Sequence, residues 1–400
     1  MFQEYEKDSD QWVAYVGPFG FPAGGAAARR VLGNAQSLVD AGFGVVVASG
    51  QVVGDPKSFE FRKGIEVVSL GERTAEHWPN VFRRVRYAAM GNNTRDWLEV
   101  QKSLPAAVIL YSGYSPYLLR LIPWCRDRNV PLIFDAVEWY EANGMFGWLF
   151  SPYQWNIELA MRWLIKKTDG VIAISSYLAN YYDAAGLPVV NIPPTLSVDE
   201  FPDSMPLRED DRLHICYAGL PGPNKDLIDV VIKTALNAGK DGQRLVLHVA
   251  GPNEQELLRL PSLSGHSCKM PKCIKSYGML AQGDAMSLVQ RCDFSVLLRR
   301  DHRVTKAGFS TKFVESMATG TPVIGNLTGD LADYLLDRKT GIVCLDWSLG
   351  ELQHAFRRAL AMSAAELADM RSECKKMARA NFDTKNYAQT LGDFVKRVSQ

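Results

Sequence analysis

The sequence predicts an α/β fold of two domains, each a doubly wound parallel sheet with helices on both faces. Three observations predict it. Apolar strand-like runs alternate with helical stretches along most of the chain, the pattern of parallel strands joined by helical crossovers. The 400 residues suffice for two hydrophobic cores. Midway lies NIPPTLSVDEFPDSMPLREDD, whose prolines at 193, 194, 202 and 206 and acidic cluster mark a linker. The expected division is therefore an N-terminal domain at 1–195, a linker at 196–212, a C-terminal domain at 213–380 and a last helix at 381–400.

The first strand is QWVAYVG at 11–17. The glycine-rich PFGFPAGGAAARR then turns into a helix that runs to Asp40 and stops at Gly42, and GVVVAS is the second strand. The glycines do not follow the G-x-G-x-x-G spacing. The second strand ends in Ser49 and Gly50, where an NAD site needs an acid for the ribose hydroxyls, so a dinucleotide site is disfavoured. Gly24 and Gly25, with Arg29 one turn on, read as a glycine turn that lets strand and helix pack closely. Residues 65–70 form a strand and 77–102 a helical region. Its FRRVRYAAM segment sets Arg83, Arg84 and Arg86 beside Phe82, Tyr87 and Met90. This is either a solvated face or a basic amphipathic surface for anionic lipid.

AAVILYS at 106–112 is a strand, and PLIFDAVEWYE at 131–141 is the next. Ligands of open parallel sheets sit beyond the C-terminal ends of strands. Asp135 and Glu138 there are candidates to face a ligand, or carboxylates that cap a turn. The aromatic stretch 145–163, with Trp148, Tyr153, Trp155 and Trp163, reads as core packing, with an acceptor groove as the alternative. DGVIAIS at 169–175 is a strand, and the helix after it ends at Gly186.

The second half repeats the logic. LHICYAG at 213–219 is a strand, and LPGPNKD leads into a helix ending near Ala238. RLVLHVAG at 244–251, the short SYGML at 276–280 with Gly278, and CDFSVLLRR at 292–300 are strands. The last delivers Arg299 and Arg300 to its C-terminal end. KAGFSTKFVESMATGTPVIGNL, from Lys306 to Leu327, reads as loop, helix, stop and strand. Gly308 allows a close approach. Ser310 or Thr311 caps the helix, Gly320 suits a left-handed stop and Pro322 forbids continuation. A helical tail fills 348–398.

Charge at that helix start is unusual. The end of a helix with free amides is partly positive and favours acidic residues. Here Lys312 lies in the first turn, with Arg299, Arg300, Arg303 and Lys306 upstream, opposed only by Asp301. Either an anion such as a phosphate sits among them, or the loop is a solvated basic one. Lys225, near the start of the helix after LPGPNKD, repeats the pattern. Glu315, one turn in, is placed to hold hydroxyls beside such an anion.

Composition narrows the partners. Lys plus Arg is 45 against Asp plus Glu 44, a net +1, so bulk charge predicts no nucleic-acid binding. Seven scattered cysteines complete no zinc pattern and read as reduced thiols. The polar start MFQEYEKDSD is unlike a signal peptide, and no apolar run is long enough to span a bilayer. The expectation is a cytoplasmic protein, with contact at the inner face of a membrane left open. No metal site is expected.

The Lys306–Leu327 segment resembles the donor-binding motif of family 4 GT-B glycosyltransferases, in which a loop leads into a helix, a Glu and "MA.G.PVI". The D..EWY string from Asp135 is similar to a segment in bacterial cell-surface polysaccharide members, and residues 169–194 resemble that family too. The resemblance implies two Rossmann-like domains facing across a cleft, with the final helix crossing back to the first. It implies sugar transfer from a nucleotide-sugar donor to a glycan or lipid-linked acceptor, retaining and without a metal. It assigns the donor diphosphate to Ser310, Thr311 and Lys312, the ribose to Glu315, and the neighbourhood of the base to Gly278. Gly24 and Gly25 match the GG loop and Lys225 the loop lysine. Leu220 stands where the family has an arginine, so Arg299 or Arg300 substitutes. Asp135 or Glu138 takes the sugar-facing role of a histidine that is missing here. With them, Lys225 and Glu315 are the catalytic candidates. The motif's first acid is replaced by Ala307, which keeps a non-catalytic sugar-nucleotide-binding subunit open as an alternative, beside a sugar-nucleotide epimerase.

Overall fold

The computed structural model of the chain describes all residues except 1–10, 24, 52–57, 73–85, 140–151, 203–209, 222–225, 240–242 and 265–268, and of 152–154 the backbone alone. It divides into two compact units. One comprises Met1–Ser197 and Thr384–Gln400, the other Val198–Asp383. Each is a Rossmann-like α/β layer structure.

The first unit is built on eight strands: β1 (Trp12–Gly17), β2 (Gly44–Ser49), β3 (Phe59–Arg62), β4 (Ile65–Ser69), β5 (Ala107–Tyr111), β6 (Leu132–Ala136), β7 (Gly170–Ala173) and β8 (Val189–Asn191). Their order is β3-β4-β2-β1-β5-β6-β7-β8. All neighbours are parallel except the edge strand β3, which runs antiparallel to β4. Every residue of β1 and β2 is buried, which is why both read as continuous apolar runs rather than alternating ones. Val13 pairs with Val45 on one side and Ala107 on the other. The helix Gly25–Asp40 turns Val31, Ala35 and Leu38 onto this sheet. The chain's last helix, Ala388–Val398, adds Leu391, Phe394 and Val395 to the same core. A Cβ on its Gly392 would lie 2.7 Å from the Cβ of Ala41, so only glycine permits this approach. In the 77–102 region the described residues are helical at 86–89 and again at Asn92–Glu99. The start of the second helix is held by the buried Glu72, which accepts from the amides of Gly91 (2.8 Å) and Asn93 (2.9 Å) and from the Tyr117 hydroxyl (2.7 Å). A carboxylate here satisfies orphan amides and opposes the helix dipole.

The second unit has six strands: β9 (Leu213–Ala218), β10 (Leu245–Ala250), β11 (Ile274–Gly278), β12 (Phe294–Leu297), β13 (Val323–Asn326) and β14 (Gly341–Cys344). They are ordered β11-β10-β9-β12-β13-β14, and all are parallel. Ile215, Leu247, Val296 and Phe356 lie at the centre of its larger core. The chain leaves β9 first toward β10 and β11, then returns to place β12 on its other side. The switch point of this sheet is thus between β9 and β12.

Three strand-end glycines line up on the C-terminal edge. Gly219, Gly251 and Gly278 all have positive φ, at 144°, 121° and 61°. Gly219 N–H donates to Ala250 O (2.9 Å) and Gly251 N–H to Gly278 O (2.7 Å). A Cβ on Gly251 would lie 2.3 Å from the Gly219 carbonyl oxygen, so backbone crowding excludes a side chain there, while at Gly219 and Gly278 the positive φ favours glycine.

Some expectations are corrected. The strand expected to carry Arg299 and Arg300 ends at Leu297, so both follow it. The basic loop before Lys312 contains a short helix, Arg303–Ala307, capped by His302. Trp155 and Trp163, expected in the core, are 61% and 69% exposed. Trp148 lies outside the described residues, as does the side chain of Tyr153. Among the described residues no helix is long and apolar enough to cross a membrane, and Cys125, Cys216, Cys273, Cys292, Cys344 and Cys374 are buried and unbridged.

Candidate active site

The helix Thr311–Thr319 starts at the C-terminal edge of the second sheet, next to the β9/β12 switch point. Its caps follow from its sequence. Ser310 Oγ accepts from Phe313 N–H (3.4 Å), and Gly320 closes it at φ 70°, ψ 29°. Asn326, the last residue of β13, fixes the chain beyond β12: its Oδ1 accepts from Arg299 N–H (2.9 Å) and its Nδ2 donates to Arg299 O (2.8 Å).

Two of the expected cations meet here, on an anion that the sequence reading missed. Arg299 Nε donates to Asp226 Oδ1 at 2.8 Å, and Lys312 Nζ pairs with Asp226 Oδ2. The Tyr217 hydroxyl donates to the same Oδ2 (2.8 Å) and accepts from Lys312 Nζ (2.9 Å). The ammonium lies 4.3 Å from the Tyr217 ring centroid, within cation–π range. Asp226 follows Lys225 directly, and an isolated antiparallel bridge with Arg299 holds it.

The electrostatics follow from burial and these partners. Burial acts to raise the Asp226 carboxyl, but Arg299 and Lys312 outweigh it and hold it at about 2. Burial, reinforced by Asp226, pushes the Tyr217 phenol far above its ordinary value, so it stays a donor. Lys312 is drawn below the ordinary lysine value by burial, against the opposing pull of Asp226 and Glu315. Its route is tight. A Cβ on Gly219 would lie 2.2 Å from Lys312 Cε and 2.7 Å from Nζ, so the lysine reaches Asp226 only across a glycine.

The remaining candidates are placed as follows. Glu315 is buried in the first turns of the helix and lines a small cavity with Lys312, Phe313, Ser316 and Ser295. Thr311 opens the helix and is half-buried. Arg300 is exposed, and its carbonyl accepts from Thr305 Oγ1 (2.7 Å). Gly308 has φ −89° and ψ 163°, an extended conformation open to any residue, so the special freedom expected of it is not used. Ala307 is fully buried at the end of its short helix. Gly329 packs on the Lys306 backbone, where a Cβ would lie 2.9 Å from its carbonyl oxygen. Among the described residues no three His, Cys, Asp or Glu side chains group as a metal site. Gly24 and Lys225 lie outside the described residues; Gly25 starts its helix at φ 65°.

In the first unit, Asp135 is not a ligand-facing group. It is fully buried, and Arg30 Nη2 donates to its Oδ1 at 3.0 Å while the Tyr15 hydroxyl donates to Oδ2. The same guanidinium donates to the carbonyls of Ile192 (2.6 Å) and Pro193 (2.8 Å). The carboxylate is consumed by a structural clamp that ties the first helix to the ends of β6 and β8. Glu138, half-buried beyond β6, stays a candidate. It acts with burial and Asp135 to push the Tyr111 phenol upward.

Two doubly wound units in one chain, the second with cations gathered at its switch point, are the architecture of the GT-B fold. Within that fold the chain belongs to the group 1 glycosyltransferases. The Glycosyl transferase 4-like domain family matches residues 25–194, and the Glycosyl transferases group 1 family matches residues 199–381. The chain is similar to a GDP-mannose-dependent alpha-(1-6)-phosphatidylinositol monomannoside mannosyltransferase of Mycobacterium tuberculosis, 27% identical over 309 residues, covering 72% of this chain and 75% of the relative. Its fold is shared with sucrose-phosphate synthase from Thermosynechococcus elongatus (TM-score 0.73, 15% identity, 97% of this chain and 99% of that one). It is also shared with Anabaena HepE in complex with UDP and glucose (TM-score 0.64, 13% identity, 97% and 100%). The protein is a glycosyltransferase that uses a nucleotide-sugar donor.

Proposed function

We propose that the protein transfers a hexose from its donor to a lipid-linked acceptor, with retention of configuration and without a metal. The observation that carries this reading is the convergence of Arg299 and Lys312 on a single point beside a helix start. Negative charge develops on the donor diphosphate as the glycosidic bond breaks. Preorganised cations and helix amides at that place stabilise the leaving group. Lys312, Arg299 and the amides of Thr311 and Lys312 take that role, assisted by Lys225. Glu315 holds the ribose, and the row of glycines ending in Gly278 admits the base. The mannosyltransferase relative supports GDP-mannose as donor and a lipid-linked sugar as acceptor. The experiment is a thermal-shift screen with GDP, UDP, ADP and dTDP. GDP should stabilise selectively, by about 2.7 kcal/mol at a hundredfold excess over Kd. No stabilisation by any of the four would sink the reading.

A lipid-linked acceptor brings the enzyme to a membrane face, and the helical segment from Pro152 to Lys167 suits that contact. Trp155, Leu159 and Trp163 recur at four-residue spacing and are exposed. Lys166 and Lys167 follow, exposed as well, beside Arg162, which pairs with Glu158. Exposed indoles with flanking lysines match an anionic bilayer surface. The Lys166→Gln/Lys167→Gln protein should bind vesicles of phosphatidylcholine and phosphatidylglycerol roughly 30-fold more weakly than wild type, at about 1 kcal/mol per lysine. Equal binding of both proteins, read by co-sedimentation, would remove this surface from the account.

A further inference from the structure

A carboxylate at the place where an anionic ligand is expected needs a reason of its own. Asp226 is buried, and its two oxygens receive Arg299 Nε, Lys312 Nζ and the Tyr217 hydroxyl. Those contacts use one of the five guanidinium N–H groups, and two ammonium N–H groups once the Tyr217 hydroxyl is counted. Both cations therefore keep donors for a further anion. Without the carboxylate, two partly buried positive charges would face each other across the end of β9 and β12. Of the two, only the lysine can relieve that repulsion by releasing a proton; the guanidinium cannot.

We propose that Asp226 is a positioning residue: a built-in counter-ion that keeps Lys312 in its ammonium form and aims Lys312 and Arg299 together at the point where a diphosphate is held. This rests on reading the junction as the donor-diphosphate site. The groups acting on the Lys312 ammonium are Asp226 and Tyr217 at its tip, Arg299 across the carboxylate and Glu315 one turn along its own helix. Of these, Asp226 is the anion in direct contact. Gly219 completes the arrangement by leaving the lysine stem its path.

The test is calorimetric binding of GDP and UDP to the full chain and to Asp226→Asn, between pH 7.5 and 9. Ligand titration is common to both proteins and cancels in the comparison. Wild-type affinity should change less than threefold over this range. The variant should lose at least tenfold as pH rises, because Lys312 then deprotonates early, and Asp226→Asn/Lys312→Arg should lose that pH dependence. Three results would overturn the proposal. They are unchanged affinity, a uniform loss with the wild-type pH profile (a merely structural role), and tighter binding (Asp226 competing with the ligand). Competitive acetylation of Lys312 with acetic anhydride across pH 7–11 reads the lysine with no ligand present. The variant's Lys312 should become reactive at lower pH than wild type's, and coincident curves would refute the counter-ion role. A wild type that binds no nucleotide but passes the acetylation test would instead sink the donor-site reading. If Asp226→Asn does not fold, Gly219→Ala carries the geometry. It should weaken GDP and UDP binding at least tenfold by displacing Lys312, and unchanged binding would overturn the proposed aim.

Discussion

Replacing Arg30 with methionine is expected to remove about 3–5 kcal/mol of stability from the first unit, the usual cost of leaving one member of a buried ion pair behind. The pair is deeply buried, with side-chain exposures of 2% and 0% for Arg30 and Asp135. Removing the guanidinium strands the Asp135 carboxylate in a low-dielectric interior. It also takes away the donors that reach the carbonyls of Ile192 and Pro193, and an unpaired buried acceptor adds to the loss. Tyr15 still donates to Asp135, with Asn34 Nδ2 donating to the Tyr15 oxygen at 2.9 Å, but a phenol does not neutralise a charge. Urea unfolding measures the effect. The double variant Arg30→Met/Asp135→Leu should recover part of the loss, because no unpaired charge remains. An Arg30→Met protein as stable as wild type would mean that the clamp does not hold the ends of β6 and β8.

Lys312→Met is expected to lower kcat by about 10²–10³, the effect of losing one preorganised stabiliser of developing negative charge. Methionine keeps much of the stem's volume over Gly219 while removing the ammonium. Because the charge on the diphosphate grows as the bond breaks, the loss should fall on kcat more than on KM. Some stability should be lost as well, since Asp226 then has Arg299 as its remaining cation, so single-turnover rates should be taken on protein verified as folded. A Lys312→Met enzyme with wild-type kcat would remove Lys312 from the leaving-group site.

Much of this molecule was legible in its residues because the signals are local. Continuous apolar runs predicted β1, β2, β9 and β10. The Ser310 cap, the Gly320 stop and the following strand were readable one turn at a time, since a helix end is decided by side chains within four residues of it. The short strands β8 and β14, three and four residues long, gave too little pattern, and the antiparallel β3 is an edge strand exposed or half-exposed throughout.

The site shows where local reading stops. The sequence by itself determined that cations crowd the start of the Thr311–Thr319 helix and that the whole resembles a nucleotide-sugar transferase, and it left two readings of those cations, an anion among them or a solvated loop. Only the tertiary structure decided which anion is present: Asp226, 73 residues from Arg299 and 86 from Lys312. Likewise it gave Asp135 to Arg30, 105 residues away, and turned Trp155 and Trp163 outward. The physical reason is the same in each case. Charge and hydrophobicity belong to a residue, but the partner that neutralises or covers it is chosen by sheet order, which brings together strand ends that the chain visits far apart.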